Sequence, residues 1–262
     1  MSETRDYMYT EQVQIPSKGL LNPEIPDGLV TLRCVEIRDQ KYLGGTKLLH
    51  SNKAVELVRR CVIHPENLDI SNLTQIDLFY LLIKLRILSY GSTYKFLSKC
   101  PICGNTISIN LDLTELQVKQ LETFDPNDLK IKLPRRGDTV YTHVQTQGDT
   151  EEITKEVARL KAKFKDNLDG DPEVTLSIAK IITKIELLKP DSTGAKVLDN
   201  PVDILRYVES LTDLDALAIQ STLDTVDFGV NPLVNATCDN CNSETFVPLK
   251  TTSEFFRPRF NK

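Results

Sequence analysis

The sequence predicts an α+β fold: a β unit made from two distant knuckles, a helical N-terminal half, and an inserted, mostly helical domain. Two observations carry most of this. Cys100-Pro101-Ile102-Cys103-Gly104 and Cys238-Asp239-Asn240-Cys241 are both C-x2-C pairs, and each lies between short runs of strand character. Tyr94, Phe96 and Leu97 precede the first, and Thr106, Ile107, Ile109 and Leu111 follow it. Leu233 and Val234 precede the second, and Thr245, Phe246, Val247 and Leu249 follow it. The chain thus makes strand, knuckle, strand twice. The third observation is that apolar residues between the pairs recur mostly at helical spacing.

Two such knuckles closing on one ion form a zinc ribbon. Four thiolates at tetrahedral geometry leave no open position, so the metal is structural. A single C-x2-C also serves redox chemistry. Residues 104–237 separate the two pairs, far more than the roughly 15–20 residues of a compact site, and an inserted domain accounts for the distance. The competing reading is two separate disulfides or free thiols. The expected ligands of a structural Zn2+ are Cys100, Cys103, Cys238 and Cys241, with no catalytic residues and no other cofactor.

Composition narrows the class. The 262 residues are 40% hydrophobic and 26% charged, an ordinary soluble globular mix. The net charge of −5, from 32 basic and 37 acidic side chains, argues against a chain devoted to coating nucleic acid. The polar start Met1–Asp6 does not read as a secretory leader. The longest apolar run, Phe79 to Leu88, is broken by Lys84 and Arg86 and does not reach a bilayer span. In a reducing compartment C-x2-C pairs favour metal over disulfide. Cys34 and Cys61 stand alone. Cys61 precedes His64 at an acceptable ligand spacing, but the two read better as a small buried thiol and an ordinary histidine.

In order along the chain, residues 1–12 are polar. Pro16, Pro23 and Pro26, with Gly19 and Gly28, then force extended or turn structure that lies along another surface. Leu29 to Ile37 alternates and reads as a strand. Gly44-Gly45-Thr46-Lys47 lacks the full phosphate-loop pattern and reads as a turn before a helix. Ala54 to Val62 is helical, with Val55, Val58 and Val62 on one stripe. Leu78 to Leu88 is the most hydrophobic helix, opened by a capping box at Thr74 and Asp77 and closed by Gly91. Only Asp77, Lys84 and Arg86 are polar in it, so it must be buried on several sides or meet a partner.

Lys130 to Leu133 and Thr139 to Gln147 read as strands around a turn, with Arg135-Arg136 at a solvated tip in preference to a phosphate contact. Thr150 is expected to cap a helix with the stripe Ile153, Val157, Leu160, Phe164 and Leu168, whose other face is charged. The turn 167–172 lacks the spacing of a calcium loop. Glu173 to Leu188 reads as a helix and residues 189–196 as an exposed loop. Pro201 to Leu211 and Leu214 to Leu223 read as a helical pair with a capping box at Thr212 and Asp215. Phe255, Phe256 and Phe260, with Arg257 and Arg259, make an aromatic, basic tail that docks on this chain or a neighbour.

These elements group into a Pro-rich arm (1–28), an α/β part with the buried helix (29–92), the ribbon (93–113 and 232–250), the inserted, mostly helical domain with a short hairpin (114–231), and the tail (251–262). No catalytic set emerges. His50, His64 and His143 lie beside no nucleophile, and no metalloprotease, hydrolase, P-loop or dinucleotide-binding fingerprint is present. An enzyme is not expected.

The order of features is familiar: Ile15-Pro16-Ser17-Lys18-Gly19, then Leu73-Thr74 and Asp77, Leu81-Leu82, Leu85-Arg86, Ser89-Tyr90-Gly91, Cys100-Pro101 with Cys103-Gly104, Lys132-Leu133-Pro134 with Gly137, and Cys238 with Cys241. From about residue 13 to 260 the chain resembles the baseplate protein family of contractile-tailed, T-even-like bacteriophages, which includes the baseplate hub assembly protein. The resemblance implies a structural or chaperone-like role in baseplate or hub formation. The partners are then other phage baseplate and tail proteins, with no small-molecule substrate and no membrane. Assembly takes place in the host cytoplasm, and the virion baseplate is the destination of members that stay. The zinc reading comes from the cysteines, not from the resemblance. The alternative is a zinc-ribbon nucleic-acid or transcription-type module, for which Lys95, Lys99, Arg135 and Arg136 would have to form a basic face.

Overall fold

A computed structural model of the chain describes residues 9–41, 51–164, 170–189, 196–250 and 255–256. The glycine turn at 44–47, the start of the 167–172 turn, most of the 189–196 loop, and Arg257, Arg259 and Phe260 lie outside these residues. In chain order the elements are β1 (Thr10–Gln14), β2 (Leu29–Arg33), α1 (Ile37–Gln40), α2 (Ser51–Cys61), β3 (Val62–His64), α3 (Gln75–Tyr90), β4 (Thr93–Lys99), β5 (Thr106–Asp112) and β6 (Val118–Lys119). There follow β7 (Lys130–Lys132), β8 (Thr139–Thr142), α4 (Gln147–Phe164), α5 (Pro172–Ile181), β9 (Ile182–Glu186), β10 (Val197–Leu198), α6 (Pro201–Glu209), α7 (Asp213–Ser221), β11 (Gly229–Val230), β12 (Leu233–Thr237) and β13 (Glu244–Pro248). The fold is mixed α+β. The chain divides into unit 1 (Met1–Ile70, Ile76–Gln120 and Phe228–Lys262) and unit 2 (Ser71–Gln75 and Leu121–Asp227).

Unit 1 begins with an antiparallel sheet in the order β1-β2-β3. β2 stops at Arg33, short of the expected Ile37, because Arg33 turns into the interior. Its guanidinium grips Asp39 with two bonds of 2.7 and 3.1 Å and also donates to the carbonyls of Cys34 and Arg60. Between β1 and β2 the Pro-rich stretch winds through successive tight turns, with Ile15 and Ile25 fully buried. Gly19 sits there at φ +79, where a Cβ would fall 1.9 Å from the Ile25 carbonyl oxygen, so glycine is required. The Ser17 N–H donates to Asp77 in the first turn of α3 at 3.0 Å, which fastens the stretch to that helix.

α3 starts directly after Thr74 and ends where Gly91 takes φ +83 and its N–H bonds the Ile87 carbonyl at 2.9 Å. Arg86 is buried, donates to the carbonyls of Gly91 and Thr93 at 2.6 and 3.1 Å, and lies 5.3 Å over the Tyr90 ring. This buried cation thereby holds the turn from α3 into β4. β4 and β5 form one hairpin and β12 and β13 another. β6 and β11 pair where the chain leaves unit 1 and where it returns. Phe255 and Phe256 are fully buried: Phe255 meets Tyr94 edge to face at 4.9 Å and Phe256 at 5.1 Å. The two phenylalanines are core residues of this unit, packed on the chain itself.

Unit 2 is built on an antiparallel sheet in the order β10-β9-β8-β7. Its core joins Leu133, Val140, Ile181, Ile182 and Ile185 to Ile204, Tyr207, Val208 and Ile219 from the helices. Four expectations fail here. The strand from Thr139 ends at Thr142, and α4 begins at Gln147, three residues before Thr150. Thr146 and Asp149 cap the helix reciprocally, with Thr146 N–H and Oγ1 each 2.8 Å from the Asp149 carboxylate and the Asp149 N–H donating back at 3.2 Å. The helix expected over Glu173 to Leu188 breaks at Ile181. Ile178, Ile181, Ile182 and Ile185 fit helical spacing, but the β-branched run from Ile181 to Thr183 is better placed as β9, where pairing with β8 supplies its backbone partners. The Arg135 side chain is exposed, as a solvated tip requires, but Arg136 is not. The Arg135 N–H donates to Asp215 at 2.9 Å, while Arg136 bonds Ser210 and lies 4.6 Å over the Tyr207 ring. Thr212 caps α7 as expected. Among the described residues no helix is long and apolar enough to cross a membrane.

Two outcomes follow from this packing. Phe255→Ala removes a fully buried ring and should lower the unfolding free energy by about 3–5 kcal/mol in urea titrations. Burial pushes the Asp149 carboxyl up, but hydrogen bonds from His143 (2.8 Å) and Thr146 outweigh it and hold the pKa below the usual carboxylate range. A depressed folded pKa gives stability that is present above the unfolded value of about 3.9 and lost as pH falls through the folded one. Asp149→Asn should therefore flatten the acid limb of the stability profile.

Candidate metal centre

Each knuckle is a turn between two strands, and the two turns use the same backbone bonds. In the first, Cys100 N–H donates to the Asn105 carbonyl at 2.8 Å and Gly104 N–H to the Cys100 carbonyl at 2.9 Å. In the second, Cys238 N–H donates to the Ser243 carbonyl at 3.0 Å and Asn242 N–H to the Cys238 carbonyl at 2.8 Å. The residue after the second cysteine is left-handed in both: Gly104 at φ +73 and Asn242 at φ +54. Glycine and asparagine are residue types that enter this region at low cost, so the sequence permits the same turn twice.

The four sulfurs converge. All lie within 4.8 Å of one another, with Cys100 Sγ 3.8 Å from Cys241 Sγ and Cys103 Sγ 3.6 Å from Cys238 Sγ. Cys100 and Cys238 are buried, Cys241 is half-buried and Cys103 is exposed. Among the described residues this is the one cluster of His, Cys, Asp or Glu side chains that could hold a metal. The structure brings together all four cysteines singled out in the sequence. It leaves Cys34, Cys61 and His64 out of the cluster. Burial pushes the Cys61 thiol up to about 12, which makes it unreactive.

Sequence reasoning missed the polar groups that face the sulfurs. Asn105 N–H and the Asn240 side-chain amide (3.6 Å) donate to Cys103, and Cys241 and Asn240 N–H groups to Cys238. The Ser243 hydroxyl, which bonds the Cys241 carbonyl at 3.5 Å, and the Ser243 N–H both face Cys241 and favour its thiolate. The signal was small polar residues inside and just after each C-x2-C, which look like turn formers alone. Ser243 is the main cause that brings the Cys241 thiol down to about 6, and Asn105 leads in lowering Cys103. At Cys238 the donations from Cys241 and Asn240 also act downward. Desolvation and the neighbouring sulfurs of Cys103 and Cys241 outweigh them and push it up to about 11. Crowding therefore opposes four thiolates at once, and a bound divalent cation removes that opposition.

Of the residues named for a basic face, Lys95 and Lys99 are exposed on β4 with Leu97 and Arg135 is exposed in unit 2, while Arg136 is engaged at Ser210 and Tyr207. In the chain stripped of metal by a chelator, Ser243→Ala should move the pH midpoint of Cys241 alkylation upward from about 6 toward the ordinary thiol value, read by iodoacetamide labelling and peptide mass spectrometry.

No curated protein and no solved structure matches the chain. One protein-family model does, described as T4 bacteriophage base plate protein, and its match runs over residues 21–257. That span contains both knuckles, α3, Phe255 and Phe256 and all of unit 2, so the chain belongs to the T4 bacteriophage base plate protein family.

Proposed function

We propose that the chain is a structural or assembly component of the phage baseplate or its hub, acting by contact with other baseplate and tail proteins. In this reading Cys100, Cys103, Cys238 and Cys241 hold one structural Zn2+ in a zinc ribbon. One observation carries the metal. A tetrahedron with metal–sulfur bonds of about 2.3 Å has edges of about 3.8 Å, and the facing sulfurs are 3.8 and 3.6 Å apart. Disulfide sulfurs would lie about 2 Å apart.

The zinc would supply cohesion. It would tie the β4–β5 hairpin to the β12–β13 hairpin, which the chain reaches only after unit 2. Closing so long a loop costs entropy that grows slowly with length, whereas thiolate zinc contributes about 10–16 kcal/mol in finger peptides. Four protein ligands fill the sphere, so no water is activated and no turnover is expected. Protein contact is supported by apolar side chains left open on this part of unit 1: Leu97, Ile102 and Phe246 are 62%, 64% and 67% exposed. Of the four residues the nucleic-acid alternative needs, Lys95, Lys99 and Arg135 are exposed, while the Arg136 side chain is committed to Ser210 and Tyr207. The chain would assemble in the host cytoplasm and pass into the virion if it stays with the baseplate.

Elemental analysis of the purified chain should find one zinc per molecule. Cys238→Ser should lower that content and expose β12–β13 to protease, and a zinc-free wild-type chain would refute the metal reading. Mass spectrometry of purified baseplates, and of complexes captured from infected cells, should find the chain with baseplate proteins. Its absence from both would refute the assembly role.

A further inference from the structure

We infer that the four-sulfur centre is also a site of oxidation by peroxide, and that its products are cross-links between the knuckles, Cys103 to Cys238 and Cys100 to Cys241. The release of metal in this scheme rests on the zinc reading above, while the cross-link pattern rests on the sulfur positions alone.

Two facing pairs, one sulfur from each knuckle, are close enough to point to the products. The sulfurs 3.6 Å apart are Cys103 and Cys238, and those 3.8 Å apart are Cys100 and Cys241. Each pair must close to about 2 Å to form a disulfide, a movement of less than 2 Å. Each pair also joins an accessible sulfur to a buried one: Cys103 is exposed and faces buried Cys238, and Cys241 is half-buried and faces buried Cys100. An oxidant from solvent thus meets one member of each pair, and the other stands behind it ready to resolve the product.

The chemistry balances. The Cys103 thiolate attacks one oxygen of hydrogen peroxide. An S–O bond forms, the O–O bond breaks, and hydroxide leaves and takes a proton to become water. The Cys238 thiolate then attacks the sulfur of that sulfenic acid, the S–S bond forms, the S–O bond breaks, and a second water leaves. Two electrons pass from two thiolates to one peroxide, and Cys241 with Cys100 uses a second peroxide in the same way. Cys100, Cys103, Cys238 and Cys241 could then no longer hold a zinc ion, which would be released. The β4–β5 and β12–β13 hairpins nevertheless stay tied, now by covalent bonds. A chain carried out of a reducing cell in a finished particle would keep its fastening after the metal had gone.

The test treats the full-length, metal-loaded chain with excess hydrogen peroxide. It reads zinc release with a chromogenic chelator, free thiols after denaturation, and disulfides by non-reducing peptide mapping. Of the six cysteines, four should be lost to titration, leaving Cys34 and Cys61. One zinc should appear per chain, and the map should show the peptide holding Cys100 and Cys103 joined to the peptide holding Cys238 and Cys241. Dithiothreitol with added zinc should reverse all three readings. Disulfides confined within each knuckle, or sulfinic acid at Cys103 without a cross-link, would overturn the inference. The same map on zinc-free chain keeps the two ideas apart: an untreated chain without zinc sinks the metal proposal, while its cross-link pattern still decides this one.

Discussion

Unit 1 is finished only after the chain has left it at Gln120, built unit 2, and returned at Phe228. Much of what holds unit 1 together is a response to that constraint. β6 and β11 pair at the crossing, and the Asn231 N–H donates to the Gln117 carbonyl beside them at 3.0 Å. Further along, the Tyr94 hydroxyl reaches the Lys250 carbonyl at 2.7 Å, and Phe255 closes on the Tyr94 ring. The sulfur cluster belongs to the same series, since Cys100 and Cys103 precede the insertion and Cys238 and Cys241 follow it. Each contact is distant in sequence, and its loop-closure cost must be met before any of them stabilises the unit.

The convergence of the four sulfurs depends on the backbone as much as on the cysteines. The cysteines supply the donors, but Gly104 and Asn242 supply the left-handed turns that aim them, and the amides of Asn105 and Asn240 with the hydroxyl of Ser243 temper the charge. Such surrounding groups orient the ligands and tune their basicity. Ser243 brings Cys241 down to about 6, whereas desolvation and the neighbouring sulfurs push Cys238 up to about 11 within the same small cluster.

What could be read from the residues alone divides along a physical line. Features fixed by local chemistry were legible: the C-x2-C turns, the apolar α3 with its Gly91 stop, and the Thr212 cap of α7. Features decided by distant partners were not. Ile182 to Glu186 carries helical spacing and becomes a strand because β8 lies beside it. α4 starts at Gln147 because Thr146 and Asp149 form a better cap than Thr150. Arg136 reads as a solvated tip until Tyr207 is placed beneath it. The Phe255-Phe256 pair was legible as unusual for a free tail, yet only the position of Tyr94 shows that it belongs to the core. At the candidate site the two C-x2-C pairs were plain from spacing and the structure brings their sulfurs together, whereas Asn105, Asn240 and Ser243 act through geometry that no spacing rule records.

The placement of the knuckles has a temporal side. A ribosome works at about 5–20 residues per second, so residues 104–237 take on the order of ten seconds to emerge. Throughout that interval the first hairpin waits with half of the cluster's sulfurs missing, and the ring of Tyr94 lacks the cover that Phe255 later provides. The nascent chain is therefore most vulnerable to misassociation in the middle of its own synthesis, and a cellular holdase that shields apolar hairpins would have its greatest effect there.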